Sequence, residues 1–343
     1  MTARFGRMAS LAALLAAAVA AAGLIEGVAV AAEPLAKTLF GAQKLPAVAA
    51  PQSIGFYSKG CFAGGVGIAP DGPHWQVMRQ SRNRRWGHPR LIELIEALSQ
   101  KAAKDGWNGL LIGDISQPRG GPMTTGHASH QVGLDADIWL MPMPAGRFTE
   151  AERETVSAVS MLKKGALTVD DRKWTPQHAT LLRDAASFPE VERIFVHPGI
   201  KKKLCDTVTG DRSWLGKIRP YWGHDSHFHL RIGCQPGSPG CKPQPAIGRG
   251  DGCDTSLDWW FTDEPWRPAT GPQKPRPRDV MTMASLPKEC RAVLAAPAPE
   301  SAAAATMALP PQGTIGAAPP AQASAFAPIP TGKVPLPTPR PTN

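Results

Sequence analysis

The chain has 343 residues, with 38 Lys and Arg against 28 Asp and Glu, giving a formal charge of +10 and a pI near 9.5. That balance favours anionic partners. After the first 32 residues no apolar stretch approaches the roughly 20 residues needed to cross a bilayer, which excludes stable membrane insertion once that segment is removed.

Residues 1–32 carry Arg4 and Arg7, an Ala/Leu-rich run from Leu11 to Ile25 and the small residues Val28 to Ala32. This is the order of a secretory signal peptide cleaved near Ala31 or Ala32. Export sets nucleic acid aside as a partner and leaves an anionic wall polymer or membrane surface, or simply a basic exterior. A folded domain is expected over 33–292 and a disordered Ala/Pro-rich tail over 293–343, because that composition cannot offset its ordering entropy. The tail's partner is unassigned, and a homodimer is compatible with the sequence.

Within the domain, Arg82, Arg84 and Arg85 form one basic run and Lys201 to Lys203 another, both expected as solvated faces. His88-Pro89 opens a helix of roughly 89–105, with Leu91, Ile95, Leu98 and Ala102 on one stripe. Gly109 to Ile115 reads as a buried strand, and Gln117 to Pro122 as a loop leading to His127. Leu134 to Leu140 alternates, so Leu134, Ala136, Ile138 and Leu140 face one way and Asp135, Asp137 and Trp139 the other. Thr149 with Glu152 caps a helix toward Leu162, and Thr175-Pro176 starts another toward Phe188. Glu192 to Val196 reads as a strand. His227 to Ile232 alternates again, with His227, His229 and Arg231 on one face. Helices mixed with alternating strands, without regular βαβ units, give an α+β class with a central, partly antiparallel sheet.

All six cysteines lie between residues 61 and 290. In an exported chain they imply a disulfide framework, which leaves all fifteen pairings open, although Cys234 and Cys241 bracket a turn and could close a local loop.

Five of the nine histidines fall in two blocks, His127-Ala-Ser-His130 with Asp137 behind it, and His224-Asp-Ser-His227-Phe-His229. A hydrolytic zinc needs three protein donors and leaves one position for water. His130, Asp137 and one histidine of the later block supply them, with the other histidine of the pair His227/His229 beside the water. Asp135 reads as a partner of a ligand histidine or a loop cap, and Arg231 as a substrate-carboxylate or oxyanion contact or an ordinary ion pair. His74, His88, His178 and His197 read as structural. Trp139, Trp222, Trp259 and Trp260 read as core or rim. No G-x-S-x-G elbow, H-E-x-x-H helix, P-loop or G-x-G-x-x-G after a strand is present.

With these blocks the chain resembles the penicillin-insensitive murein endopeptidases, a branch of the metallopeptidase group that also includes lysostaphin-like enzymes, D-alanyl-D-alanine carboxypeptidases and the Hedgehog signalling domain. The matching text runs from Gly126 to Asp137 and from His224 to His229, with further matches at Gly87-His-Pro89, Leu111-Ile-Gly-Asp114, Arg193-Ile-Phe-Val196 and Gly250-Asp-Gly-Cys253. The resemblance implies zinc on His130, Asp137 and His229, with His227 beside the metal's water and His127 and His224 as further catalytic-site histidines. It implies three bridges, Cys61–Cys290, Cys205–Cys253 and Cys234–Cys241. It also implies periplasmic cleavage of the D-alanyl to meso-diaminopimelyl cross-link between peptidoglycan stem peptides. A D,D- or L,D-carboxypeptidase, and a zinc-containing wall-binding protein without turnover, are the alternatives. The long Ala/Pro tail departs from the family pattern.

Overall fold

The two alternating segments lie side by side at the middle of a seven-stranded sheet, and their pairing organises the molecule. The structure, a computed structural model, describes residues 33–268, 270–272 and 274–308. The signal peptide expected over 1–32 and the tail beyond 308 lie outside the described residues.

In chain order, α1 (Ala36–Gly41) precedes β1 (Gln52–Phe56), β2 (Lys59–Ala63), β3 (Val66–Gly67), β4 (Asp71–Gly72), β5 (Trp75–Val77) and β6 (Trp86–Gly87). Helix α2 (Pro89–Lys104) leads into β7 (Leu110–Ile112) and, after a long loop buried except around residues 124–129, β8 (Asp135–Trp139). Then come α3 (Glu150–Thr155), α4 (Pro176–Ser187), β9 (Val191–Val196), α5 (Pro198–Thr207), β10 (Ile218–Pro220) and β11 (His227–Ile232). The short helices α6 (Thr255–Asp258), α7 (Pro277–Val280) and α8 (Glu289–Ala295) follow.

The main sheet has the order β10-β9-β11-β8-β7-β5-β4. Pairs β10–β9 and β5–β7 are parallel and the other four antiparallel, as the α+β reading expected. Leu134, Ala136, Ile138 and Leu140 from β8 and its ends join Phe228, Leu230 and Ile232 of β11 in the main core. Against them pack Leu91, Ile95 and Leu98 of α2 and Leu181, Leu182 and Ala185 of α4. One face of the β8–β11 pair is therefore committed to the core, and its polar residues are left to the opposite face.

Three of the four histidines read as structural serve helix starts. His88 Nδ1 accepts the Arg90 N–H at 3.2 Å, His197 Nδ1 the Gly199 N–H at 3.0 Å, and His178 Nδ1 the Thr175 N–H at 3.0 Å. Each satisfies a backbone group left over at a helix N-terminus whose next residue is proline at the first turn.

Four expectations change. Helix α3 stops at Thr155 rather than Leu162, because its six residues bury only Arg153 and have no apolar stripe to extend. Strand β7 ends at Ile112, beyond which the chain turns to carry Asp114 inward. The basic runs are not wholly solvated: Arg84 is buried against Asp114, and Lys201 is fully buried, donating to the Leu215 carbonyl at 2.8 Å. Residues 293–308, assigned above to the tail, are packed. Val293 is buried, Arg119 donates to the carbonyls of Val293, Leu294 and Ala296 at 2.8 Å, and Thr306 bridges to Gly67. Apolar residues scattered among the alanines suffice to hold that stretch.

The bridges Cys61–Cys290, Cys205–Cys253 and Cys234–Cys241 are all formed.

Glu96, on the core-facing side of α2, is buried with Oε1 lacking a partner. Burial, helped by the Glu93 charge, pushes its carboxyl up to about 7 from 4.5. The folded pKa exceeds the unfolded one, so the neutral acid's stability is complete below pH 4.5 and is lost as pH rises through 7. Glu96→Gln should therefore gain on wild type between pH 5 and pH 8 by about 2 kcal/mol. Urea unfolding at the two pH values measures this, and a variant-minus-wild-type difference that stays flat refutes it.

Candidate metal centre

Cross-strand register brings the polar residues into direct opposition: His229 faces Asp137 and Arg231 faces Asp135. Residues opposite one another on an antiparallel pair have β-carbons about 5 Å apart, close enough for direct interaction. Nε2 of His229 meets Asp135 Oδ1 at 2.8 Å, while its Nδ1 lies 3.4 Å from Asp137 Oδ1. Asp135 also accepts from Arg231 Nε at 2.5 Å and from the His130 backbone N–H at 3.0 Å.

His130 reaches the same place from the loop before β8. Its backbone is left-handed (φ 64°), a conformation that costs a non-glycine residue about 1 kcal/mol. Its N–H on Asp135 and its carbonyl, which accepts from Ser116 Oγ, hold it there. Nδ1 points at the Ile115 carbonyl at 2.5 Å and must therefore be the protonated nitrogen, since a carbonyl only accepts. Nε2 stands 3.4 Å from Asp137 Oδ1.

His130 Nε2 and Asp137 Oδ1 are both buried without a hydrogen-bond partner. Buried polar atoms left this close without a hydrogen bond are costly unless something bridges them. Metal–donor bonds of about 2.0–2.1 Å at tetrahedral angles place neighbouring donors about 3.4 Å apart. Both the His130 and the His229 nitrogens stand 3.4 Å from Asp137 Oδ1, a spacing that a bound cation could bridge.

The other oxygen of Asp137 faces two further histidines, His127 Nε2 at 3.4 Å and His227 Nε2 at 3.7 Å. Donor atoms of His127, His130 and Asp137 all lie within 4.8 Å of one another. His127 is drawn aside, however, by Asp114 Oδ2 at 3.1 Å, a carboxylate that also pairs with Arg84 at 2.8 Å. Burial would raise the Asp114 carboxyl, but His127 and Arg84 outweigh it and hold it down at about 2. Asp137 is likewise kept well below the ordinary carboxylate range, against its burial, by His130, His127 and His227. Burial pushes His229 down to about 3, so its ring is neutral, as a metal ligand requires.

His224 takes a left-handed turn (φ 57°) that swings its ring to 5.0 Å from that of His227. Its Nδ1–H donates to the Trp222 carbonyl at 2.8 Å, and burial followed by the His227 charge lowers it to about 4. A neutral ring with Nδ1 protonated leaves Nε2 as an acceptor. His127, His224 and His229 border a cleft of about 370 Å³ whose walls include Tyr57, Phe195, Tyr221 and Gln244. Arg231 is sandwiched there between the rings of Tyr57 (4.1 Å) and Phe195 (5.1 Å).

All six histidine and aspartate residues picked out in the two blocks are thus gathered at one place. Asp114, Arg84 and Arg278, which donates to the His127 carbonyl at 3.0 Å, were missed. The signal for Asp114 was a lone carboxylate at the end of an apolar run; the arginines gave none.

A family model described as penicillin-insensitive murein endopeptidase matches residues 53–295. Relatives bearing that name include one from Haemophilus influenzae, 46% identical over 225 residues (65% of this chain, 77% of the relative). Others are from Yersinia enterocolitica, 39% identical over 249 residues (73% and 87%), and Escherichia coli, 39% over 249 residues (73% and 88%). The match spans both histidine blocks and all six cysteines, and the chain belongs to the penicillin-insensitive murein endopeptidase family.

Proposed function

We propose that this chain is an exported zinc peptidase that hydrolyses the D-alanyl to meso-diaminopimelyl cross-link between peptidoglycan stem peptides in the periplasm. The observation that carries the metal reading is the pair of orphaned buried atoms, His130 Nε2 and Asp137 Oδ1, with His229 Nδ1 at the same 3.4 Å spacing. The names of the relatives supply the substrate class. His130, Asp137 and His229 would hold the ion, which when bound supplies Lewis acidity toward a carbonyl and lowers the pKa of water. His127 is left out of the set because Asp114 engages the nitrogen it would need.

The chain's own groups do the rest. Asp135 fixes the His229 ring so that Nδ1 faces inward, the carboxylate–histidine support common around zinc. His227 Nε2 takes the proton of the attacking water as the new C–O bond forms, and returns it to the meso-diaminopimelyl nitrogen as the C–N bond breaks. His224, an acceptor at Nε2, orients the water or the emerging amine and does not serve as an oxyanion donor.

Incubation of the mature protein with cross-linked muropeptide dimers tests this by mass spectrometry. Conversion of dimer to monomers, stopped by a chelator and restored by zinc, is expected. Loss of one alanine from monomers would make the enzyme a carboxypeptidase, and metal-dependent binding without products would make it a wall-binding protein. His227→Ala should lower kcat by about 10²–10⁴-fold while retaining one bound metal per chain. Near-normal turnover in that variant would remove His227 from the role of base.

A further inference from the structure

Among the described residues, the exposed large aromatic side chains are Tyr221 (47% exposed), Trp222 (43%) and Trp259 (37%), and all three lie in one row. Tyr221 stands in the wall of the cleft, Trp222 meets it edge to face at 5.3 Å, and Trp259 meets Trp222 at 6.2 Å. Trp260, almost buried, backs the row at 4.6 Å from Trp222. Trp222 is held by its Nε1–H on the Pro265 carbonyl at 2.9 Å, and Trp266 by its own on the Trp260 carbonyl at 2.8 Å. The Trp222 indole N–H is thus satisfied within the protein, so what this ring offers solvent is its apolar surface. Exposed Asp258, Thr262 and Asp263 border it and offer hydroxyl-binding oxygens.

We propose that this row is a glycan-stacking platform, continuous with the catalytic cleft, that binds the sugar strand on which the stem peptides are borne. The inference rests on the murein reading above and extends it from peptide to glycopeptide. A pyranose presents a flat array of C–H bonds on one face and hydroxyls at its rim. Rigid indole faces bordered by carboxylate and hydroxyl oxygens match both, whereas the thin, polar peptide bridge needs only the cleft. Apolar surface of this kind carries a hydration cost that a monomeric protein rarely leaves uncovered without a binding role.

The test uses two cross-linked dimers of identical peptide, one bearing its disaccharides and one stripped of them, with metal-loaded protein. Wild type should show a KM about tenfold lower for the glycosylated dimer. The double variant Trp222→Ala/Trp259→Ala should lose that advantage while keeping its kcat/KM on the stripped dimer. Trp259→Ala, which spares the anchored Trp222, should lose part of it, and Trp222→Phe/Trp259→Phe should retain most. Equal effects on both dimers, or none on either, would overturn the platform. So would a dimer-to-monomer shift of the double variant in sedimentation, since the row would then be a self-association face. Quenching of tryptophan fluorescence by a β-1,4-linked N-acetylglucosamine oligomer reads the platform without cleavage. Quenching with no hydrolysis of either dimer would sink the peptidase reading and leave the platform standing; cleavage with no quenching would do the reverse.

Discussion

Asp137→Ala should lower cross-link cleavage on the order of a thousandfold or more and leave the protein without bound metal, yet cost the metal-free fold far less than loss of Asp135. The adjacent inward carboxylate should behave oppositely. Asp135→Ala should cost about 3–5 kcal/mol of stability, because it strands Arg231, a guanidinium 5% exposed, and releases the His130 backbone N–H. Asp137 makes no such structural contacts: its Oδ1 is unpartnered, and its remaining neighbours are histidines that a bound ion would reorganise. A milder change, Asp135→Asn, keeps the shape but weakens the acceptor for His229, and should reduce metal affinity about 10–100-fold. Metal content after dialysis, read beside urea midpoints, separates the cases. If Asp137→Ala retained stoichiometric zinc, or Asp135→Ala were as stable as wild type, the division of labour would fail.

That division was only half visible in the sequence. Alternation placed Asp135, Asp137, His227, His229 and Arg231 on polar faces, because a strand's period is two whatever it pairs with. Register is a property of the pair, and it decides that His229 rather than His227 stands opposite Asp137. The family resemblance pointed to the same histidine, but no spacing along the chain did. Asp114 sits in an apolar run and Arg278 in a Pro/Arg-rich stretch, and each acquires meaning only from His127 packed beside it. The histidines outside the two blocks were legible for the opposite reason: His88 and His197 precede proline at a helix start, a local arrangement. The boundary at 292 failed because composition averages over residues, while a few apolar side chains such as Val293 and Met307 decide whether a segment packs.

Removing the bridge Cys61–Cys290 should destabilise the protein by about 5 kcal/mol, more than removing either of the others. The two cysteines are 229 residues apart, against 48 for Cys205–Cys253 and 7 for Cys234–Cys241. Closing so long a loop restricts the unfolded chain most, whereas the seven-residue separation corresponds to only about 2.5 kcal/mol. Packing adds a second reason. Cys290 lies in α8 and Cys61 in β2, both fully buried in the smaller core that includes Phe40 and Ile54. Loosening α8 frees the carbonyls that Arg119 holds, and Arg119 leads the loop that ends at His130. The N–H of Gly60, next to Cys61, donates to Gln131 Oε1 at 3.2 Å, so β2 also braces the residue after His130. The double variant Cys61→Ala/Cys290→Ala should therefore lose metal affinity along with stability, while Cys234→Ala/Cys241→Ala keeps its metal. Urea midpoints and zinc competition on the two variants measure both effects. Equal destabilisation, or full metal affinity without the long bridge, would show that the His130 loop stands independently of the C-terminal helix.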